Sequence, residues 1–139
     1  MFMKKFMSKI ASVALVGIMI STTTVFAAQS AFNSKFVDSN EWTYVTDCVK
    51  ATDYSEVYVR ITNIYKGDGS SSDYKKIVAQ FKHGVDICTT SNSYVANKGT
   101  DCVAQLKQVY RAKGKLITFV AMGNDPALDC RIDGKLVVD

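Results

Sequence analysis

Four cysteines (Cys48, Cys88, Cys102, Cys130) and one histidine (His83) are the residues of this 139-residue chain best equipped for chemistry. Four thiols can hold a metal, supply a nucleophile or close two disulfides. Zinc ligands come in closely spaced pairs, and no Cys-x-x-Cys occurs, so no metal or other cofactor is expected. A nucleophile needs an activating base. The one candidate imidazole, His83, sits between Lys82 and Gly84 at what reads as a strand end, the setting of a capping or surface residue. In an exported chain an even count reads as two disulfides, and four cysteines allow three pairings. Free, buried thiols are the alternative, because a buried cysteine behaves as a small hydrophobe.

The carboxylates form no convincing acid–base pair. Asp125 and Asp129 flank Pro126 in a turn, where solvated turn residues are the ordinary reading. Asp68 and Asp73 bracket a Gly/Ser loop that lacks the alternating ligands and closing Glu of a calcium loop. Gly67 and Gly69 lack the downstream Lys and helix of a phosphate loop. No catalytic residue is therefore assigned, and an enzyme is not expected. Two surface features remain. Lys107, Arg111, Lys113 and Lys115 crowd one expected turn and would suit an anionic surface, although such residues also keep hairpin tips soluble. Trp42 and the tyrosines Tyr44, Tyr54, Tyr58, Tyr65, Tyr74, Tyr94 and Tyr110 include some that should face outward, where tyrosine suits recognition, although core or cross-strand pairing explains most such residues.

The element around which these residues must be positioned is 115–122, an apolar run closed by Lys113-Gly114 on one side and Gly123-Asn124-Asp125-Pro126 on the other. Eight residues between turn signals suit a strand, and apolar residues on both faces place it inside a sheet. Residues 57–65 alternate, with Val57, Val59 and Ile61 on one face. Further strands are expected over 42–51, 77–81 and 85–88. Segment 101–110 fits either a strand hairpinned onto 115–122 or two turns of helix, with the strand favoured. Asp133-Gly134 reads as a hairpin turn after a strand at 128–132. If the strands carrying Cys102 and Cys130 flank 115–122, they lie about 9.6 Å apart, too far for a bridge. That geometry favours Cys88–Cys102 and Cys48–Cys130. About seven short strands with frequent turns predict an all-β, antiparallel β-sandwich of immunoglobulin-like size.

Residues 1–27 read as a signal peptide: Lys4, Lys5 and Lys9 precede the apolar stretch 10–20, and Val25 and Ala27 suit a cut before Ala28. Residues 28–40 read as a loose leader and 41–139 as the sandwich domain. Removing three lysines takes Lys+Arg from 17 to 14 against 13 Asp+Glu, so the exported product is nearly neutral. That excludes the strong basic excess of a nucleic-acid-binding domain. The expected location is secreted and extracellular, without stable membrane insertion.

Ser55-Glu56-Val57-Tyr58-Val59-Arg60-Ile61-Thr62, Lys98-Gly99-Thr100, Val109-Tyr110 with Lys113-Gly114, and the closing Asp133-Gly134 run together resemble small exported β-rich proteins of Gram-positive anaerobes. The pattern is distantly similar to secreted bacteriocins of the lactococcin 972 type. The departures are Leu136, where a Trp-containing ending is usual, and the four cysteines. The resemblance implies a small exported β-rich protein and transfers no catalytic residue. The expected function is a secreted, non-catalytic binding or interaction module whose partner is a cell-envelope polymer, a lipid surface or a protein. A bacteriocin-like antagonist of neighbouring cells and a small secreted hydrolase are the alternatives.

Overall fold

The computed structural model describes residues 28–124 and 129–138. The expected signal peptide lies outside them. Nine strands form two antiparallel sheets packed face to face: β1 (Ala28–Val37), β2 (Thr43–Val49), β3 (Glu56–Lys66), β4 (Lys76–His83), β5 (Asp86–Ile87), β6 (Tyr94–Asn97), β7 (Asp101–Gln105), β8 (Leu116–Gly123) and β9 (Cys130–Val138). One sheet runs β1-β9-β3-β7. The other runs β2-β8-β4, with β5 and β6 both paired to β4. The β-sandwich is thus all-β, as the strand pattern predicts.

Segment 115–122 is β8, paired on both sides by β2 and β4. Ile117, Phe119 and Ala121 are fully buried between the sheets. Phe119 links an aromatic line through the core, with ring centroids 5.7 Å from Phe32 and 5.8 Å from Phe81. On β3, Val57, Val59 and Ile61 face the core as the alternation predicts, and a bulge between Ile61 and Asn63 then brings Ile64 inward. An extra residue in one strand reverses the parity of everything beyond it.

Several expectations are corrected. The segment expected to be a loose leader, 28–40, is mostly β1, a ten-residue edge strand that buries Phe32 and Val37. Its other side carries Gln29, Ala31 and Asn33, the polar face an edge strand turns to water. Segment 101–110 is a strand followed by a short 3-10 turn at Gln108–Tyr110, but the strand pairs with β3 in the opposite sheet. Tyr94–Asn97 adds a strand the sequence did not signal.

Asp133-Gly134 is not a turn. Both residues lie inside β9, where Gly134 pairs with Phe32 of β1 and Ile61 of β3. A Cβ on Gly134 would fall 2.1 Å from the Arg60 carbonyl oxygen, so the glycine answers to a close backbone approach. Bulges in β1 and β3 meet at this point from both sides. Ser34, at φ 51°, forms the β1 bulge and donates its N–H to Asp133 Oδ1 at 2.7 Å, while the Tyr65 hydroxyl donates to Oδ2 at 3.0 Å.

All four cysteines are free, and the expected disulfides are absent. The strands carrying Cys102 and Cys130 flank β3, not β8. Cys102 sits level with Val59 and hence with Leu136, whereas Cys130 lies six positions along β9, roughly 20 Å away. Cys88 is held at the other sheet by its N–H to Phe81 O, 3.1 Å, and Cys48 pairs in register with Ile117. Burial pushes the Cys88 and Cys130 thiols up to about 11, as buried structural cysteines require.

Candidate functional site

The four expected surface cations fall on one connection. Residues 106–115 carry the chain from β7 in one sheet to β8 in the other, as an arch over one end of the sandwich. The arch contains Lys107, Arg111, Lys113 and Lys115 and no carboxylate. It is pinned at both feet. Leu106 is fully buried and its N–H donates to Ser55 O at 2.8 Å, while Lys107 N–H donates to Cys88 O at 2.9 Å. At the other foot Gly114 N–H donates to Lys50 O at 3.0 Å and Lys50 N–H to Lys115 O at 2.9 Å. Lys113 N–H is caught by Asp53 Oδ1 at 2.7 Å.

The four cations have unequal roles. Arg111 is half-buried, and its Nε donates to Leu106 O at 3.0 Å, bracing the arch internally. Lys107 and Lys113 are exposed and Lys115 is half-buried. Among the described residues none of the four forms a salt bridge; the one ion pair is Arg60–Asp101 on a sheet face. Three charges thus stand on a fixed backbone with no internal carboxylate to neutralise them.

The β4–β5 hairpin stands beside the arch. His83 Nδ1 lies 2.8 Å from Leu116 O; a carbonyl can only accept, so Nδ1 carries the proton. The His83 ring packs on Tyr110 at 5.3 Å, and the Tyr110 hydroxyl reaches Asp86 Oδ2 at 3.5 Å. Burial, then the Asp86 charge, raises the Tyr110 pKa. His83 therefore ties the hairpin to β8 and the arch. Aliphatic side chains show between these polar groups: Val85 is 90% exposed and Val109 66%.

Beneath lies a residue the sequence did not flag. Lys50 is 1% exposed, and its amine donates to Tyr54 O at 2.7 Å, closing the loop after β2. A lysine between Val49 and a Thr-Asp turn carries no pattern that announces burial. Burial raises the neighbouring Cys88 thiol, and the Lys107 and Lys50 charges pull only weakly the other way.

The remaining sequence candidates are dispersed. Tyr44 faces out from one sheet and Tyr58 and Tyr65 from the other, Tyr54 stands at the arch end, and Tyr74, Tyr94 and Tyr110 pack against the core. Trp42 precedes β2 at the opposite end. Asp125 lies outside the described residues; Asp129 Oδ1 accepts from Ser39 N and Oγ at 2.9 and 3.0 Å, a structural task. Asp68 is held low chiefly by its bond from the Ser70 hydroxyl, in a local turn. Among the described residues no three His, Cys, Asp or Glu side chains gather as a metal site. The sequence also gave no sign of a shallow groove of about 440 Å³ at the far end, lined by Asp73, Tyr74, Lys75, Asn97 and Lys98. Comparison with protein-family models, with curated proteins and with solved structures finds no match.

Proposed function

We propose that this chain is a secreted, non-catalytic binding module that attaches to an anionic surface of the cell envelope through the arch 106–115. The observation that carries the reading is an uncompensated set of cations on a pinned backbone: Lys107, Lys113 and Lys115 project from a segment with no carboxylate. Fixed charges of one sign attract a polyanion and lose little freedom when it binds. The groups suited to catalysis have structural tasks. His83 holds the Leu116 carbonyl and Lys50 that of Tyr54, and the Cys88 thiol stays protonated at neutral pH.

The test is a pull-down of the secreted protein on intact cells and isolated wall polymer. Lys107→Gln, Lys113→Gln and Lys115→Gln are combined, and Arg111 is kept because it braces the arch. Binding should fall sharply in the triple variant. Raising salt from 0.1 to 1 M should mimic the loss, since the screening length drops from about 10 to about 3 Å. Salt-insensitive binding that survives the triple change would refute the reading.

A further inference from the structure

Resting on that reading, we infer that the anionic surface is a phospholipid bilayer, and that the arch end seats with Val85 and Val109 entering the headgroup–acyl boundary. A phosphate polymer would satisfy the lysines and leave the aliphatic side chains in water. A bilayer carrying anionic lipid offers both a charged plane and an apolar layer beneath it.

Val85 occupies the tip of a two-residue hairpin turn, Gly84-Val85, between His83 and Asp86. Turn tips favour Gly, Asn and Asp, and a β-branched side chain is unsuited there. Yet Val85 is 90% exposed, the highest value among the exposed large hydrophobic residues of the described chain. Val109, 66% exposed, stands on the neighbouring 3-10 turn. Contacts of Tyr110 with His83 and Asp86 hold the two tips beside one another. Val49 and Leu116, register partners on the outward face of the same end, are 52% and 39% exposed. Asp53, Asp86 and Glu56 also lie at this end and keep their charge, but each accepts from a neutral donor, Lys113 N–H, the Tyr110 hydroxyl and Gln105 Nε2, and among the described residues none pairs with an arch cation. The end therefore presents aliphatic tips ringed by free lysines, the pairing an interfacial contact uses.

Each lysine near an anionic leaflet contributes about fivefold in affinity. Val85→Ala with Val109→Ala removes four methyl carbons, which should weaken binding by at least about tenfold, and by about two-hundredfold if both side chains insert fully. Protein purified from the medium of an expressing host is titrated with vesicles of phosphatidylglycerol and phosphatidylcholine, with pure phosphatidylcholine vesicles, and with polyphosphate-coated beads. The double variant should lose affinity for anionic vesicles and keep its affinity for beads. A tryptophan reporter, Val85→Trp, should shift its emission to the blue on anionic vesicles, while native Trp42 in the parent protein, at the opposite end, should not. Equal vesicle binding by the double variant overturns the lipid assignment, and equal binding to neutral vesicles overturns the anionic-surface reading on which it rests. Binding to beads but not vesicles overturns it too and leaves the polyanion reading standing. Binding to neither removes both.

Discussion

Gly134→Ala separates two accounts of a glycine in the middle of a strand. If Gly134 were only a weak point, alanine would gain about 0.5–1 kcal/mol by restricting the unfolded chain. The structure gives the opposite sign. An added Cβ would sit 2.1 Å from the Arg60 carbonyl oxygen and 2.8 Å from Phe32 Cζ. The ring can move aside, but the carbonyl cannot, because Arg60 pairs with Lys135 on one side and Asp101 on the other. Relieving the clash requires β3 and β9 to part by about 1 Å. Overpacking of this kind costs about 1–3 kcal/mol, and weakened ladder hydrogen bonds add about 1 kcal/mol each. The expected loss is about 3 kcal/mol, or a fall in Tm of roughly 12 °C at about 4 °C per kcal/mol. Urea unfolding followed by Trp42 fluorescence measures it. Gly67→Ala is the control, because its Cβ would meet Asp129 Cβ at an ordinary 3.4 Å. A Gly134→Ala midpoint equal to or above that of the parent would refute the reasoning.

Three further outcomes follow from buried groups. In reduced native protein, iodoacetamide should label the half-buried Cys48 first and spare Cys88, Cys102 and Cys130 until denaturant is added; simultaneous labelling of all four would contradict the burial. Because burial holds Cys88 and Cys130 at about 11 in the folded state, above their unfolded values, their contribution is complete below about pH 9 and is lost as pH rises toward 11. The urea midpoint should fall over that window, less steeply in Cys88→Ala with Cys130→Ala, and identical slopes would remove the thiols from the account. Lys50→Ala deletes three buried methylenes and leaves the Tyr54 carbonyl without its donor, for about 3 kcal/mol, whereas Lys50→Met keeps the stem and should recover more than half; equal losses would show that the stem does not pack.

The sequence was most legible where burial alternates or runs unbroken, as in β3 and β8. It failed at the connections, and for one reason. Apart from β4, β5 and β6, successive strands lie in opposite sheets, so the turns are arches. Lys113-Gly114 ends a strand whether the chain then folds back within its sheet or crosses to the other. Turn chemistry fixes the local backbone and says nothing about which sheet comes next. That ambiguity put β7 beside β8 and, through it, shaped a disulfide scheme that the structure does not contain, since all four cysteines are free. Asp133-Gly134 failed differently. An Asp-Gly pair satisfies a tight turn, but it equally suits a junction of two bulges, where the carboxylate accepts from Ser34 and Tyr65 and the glycine admits a neighbouring carbonyl. β1 was hidden because an edge strand spends half its residues on water.

The candidate site was legible as composition and illegible as geometry. Lysine count alone does not single out the arch, since Lys75 and Lys98 at the far end are equally exposed. Those two line a groove shared with Asp73, in a region whose other acids, Asp38, Asp68 and Asp129, shape turns with Asn40, Ser70 and Ser39. Charges there are mixed, with Asp73 lining the same groove as the two lysines. The arch segment itself holds no carboxylate: Arg111, the cation with a structural task, faces a backbone carbonyl, and Lys107, Lys113 and Lys115 carry no ion pair among the described residues. Pinning supplies what composition cannot. The hydrogen bonds from Leu106, Lys107, Lys113 and Gly114 hold the backbone that carries these lysines beside the hairpin tip of Val85. Three lysine charges on a mobile loop would only keep the chain soluble; the same charges on a fixed arch, beside aliphatic tips, form a surface with a defined orientation toward a charged plane.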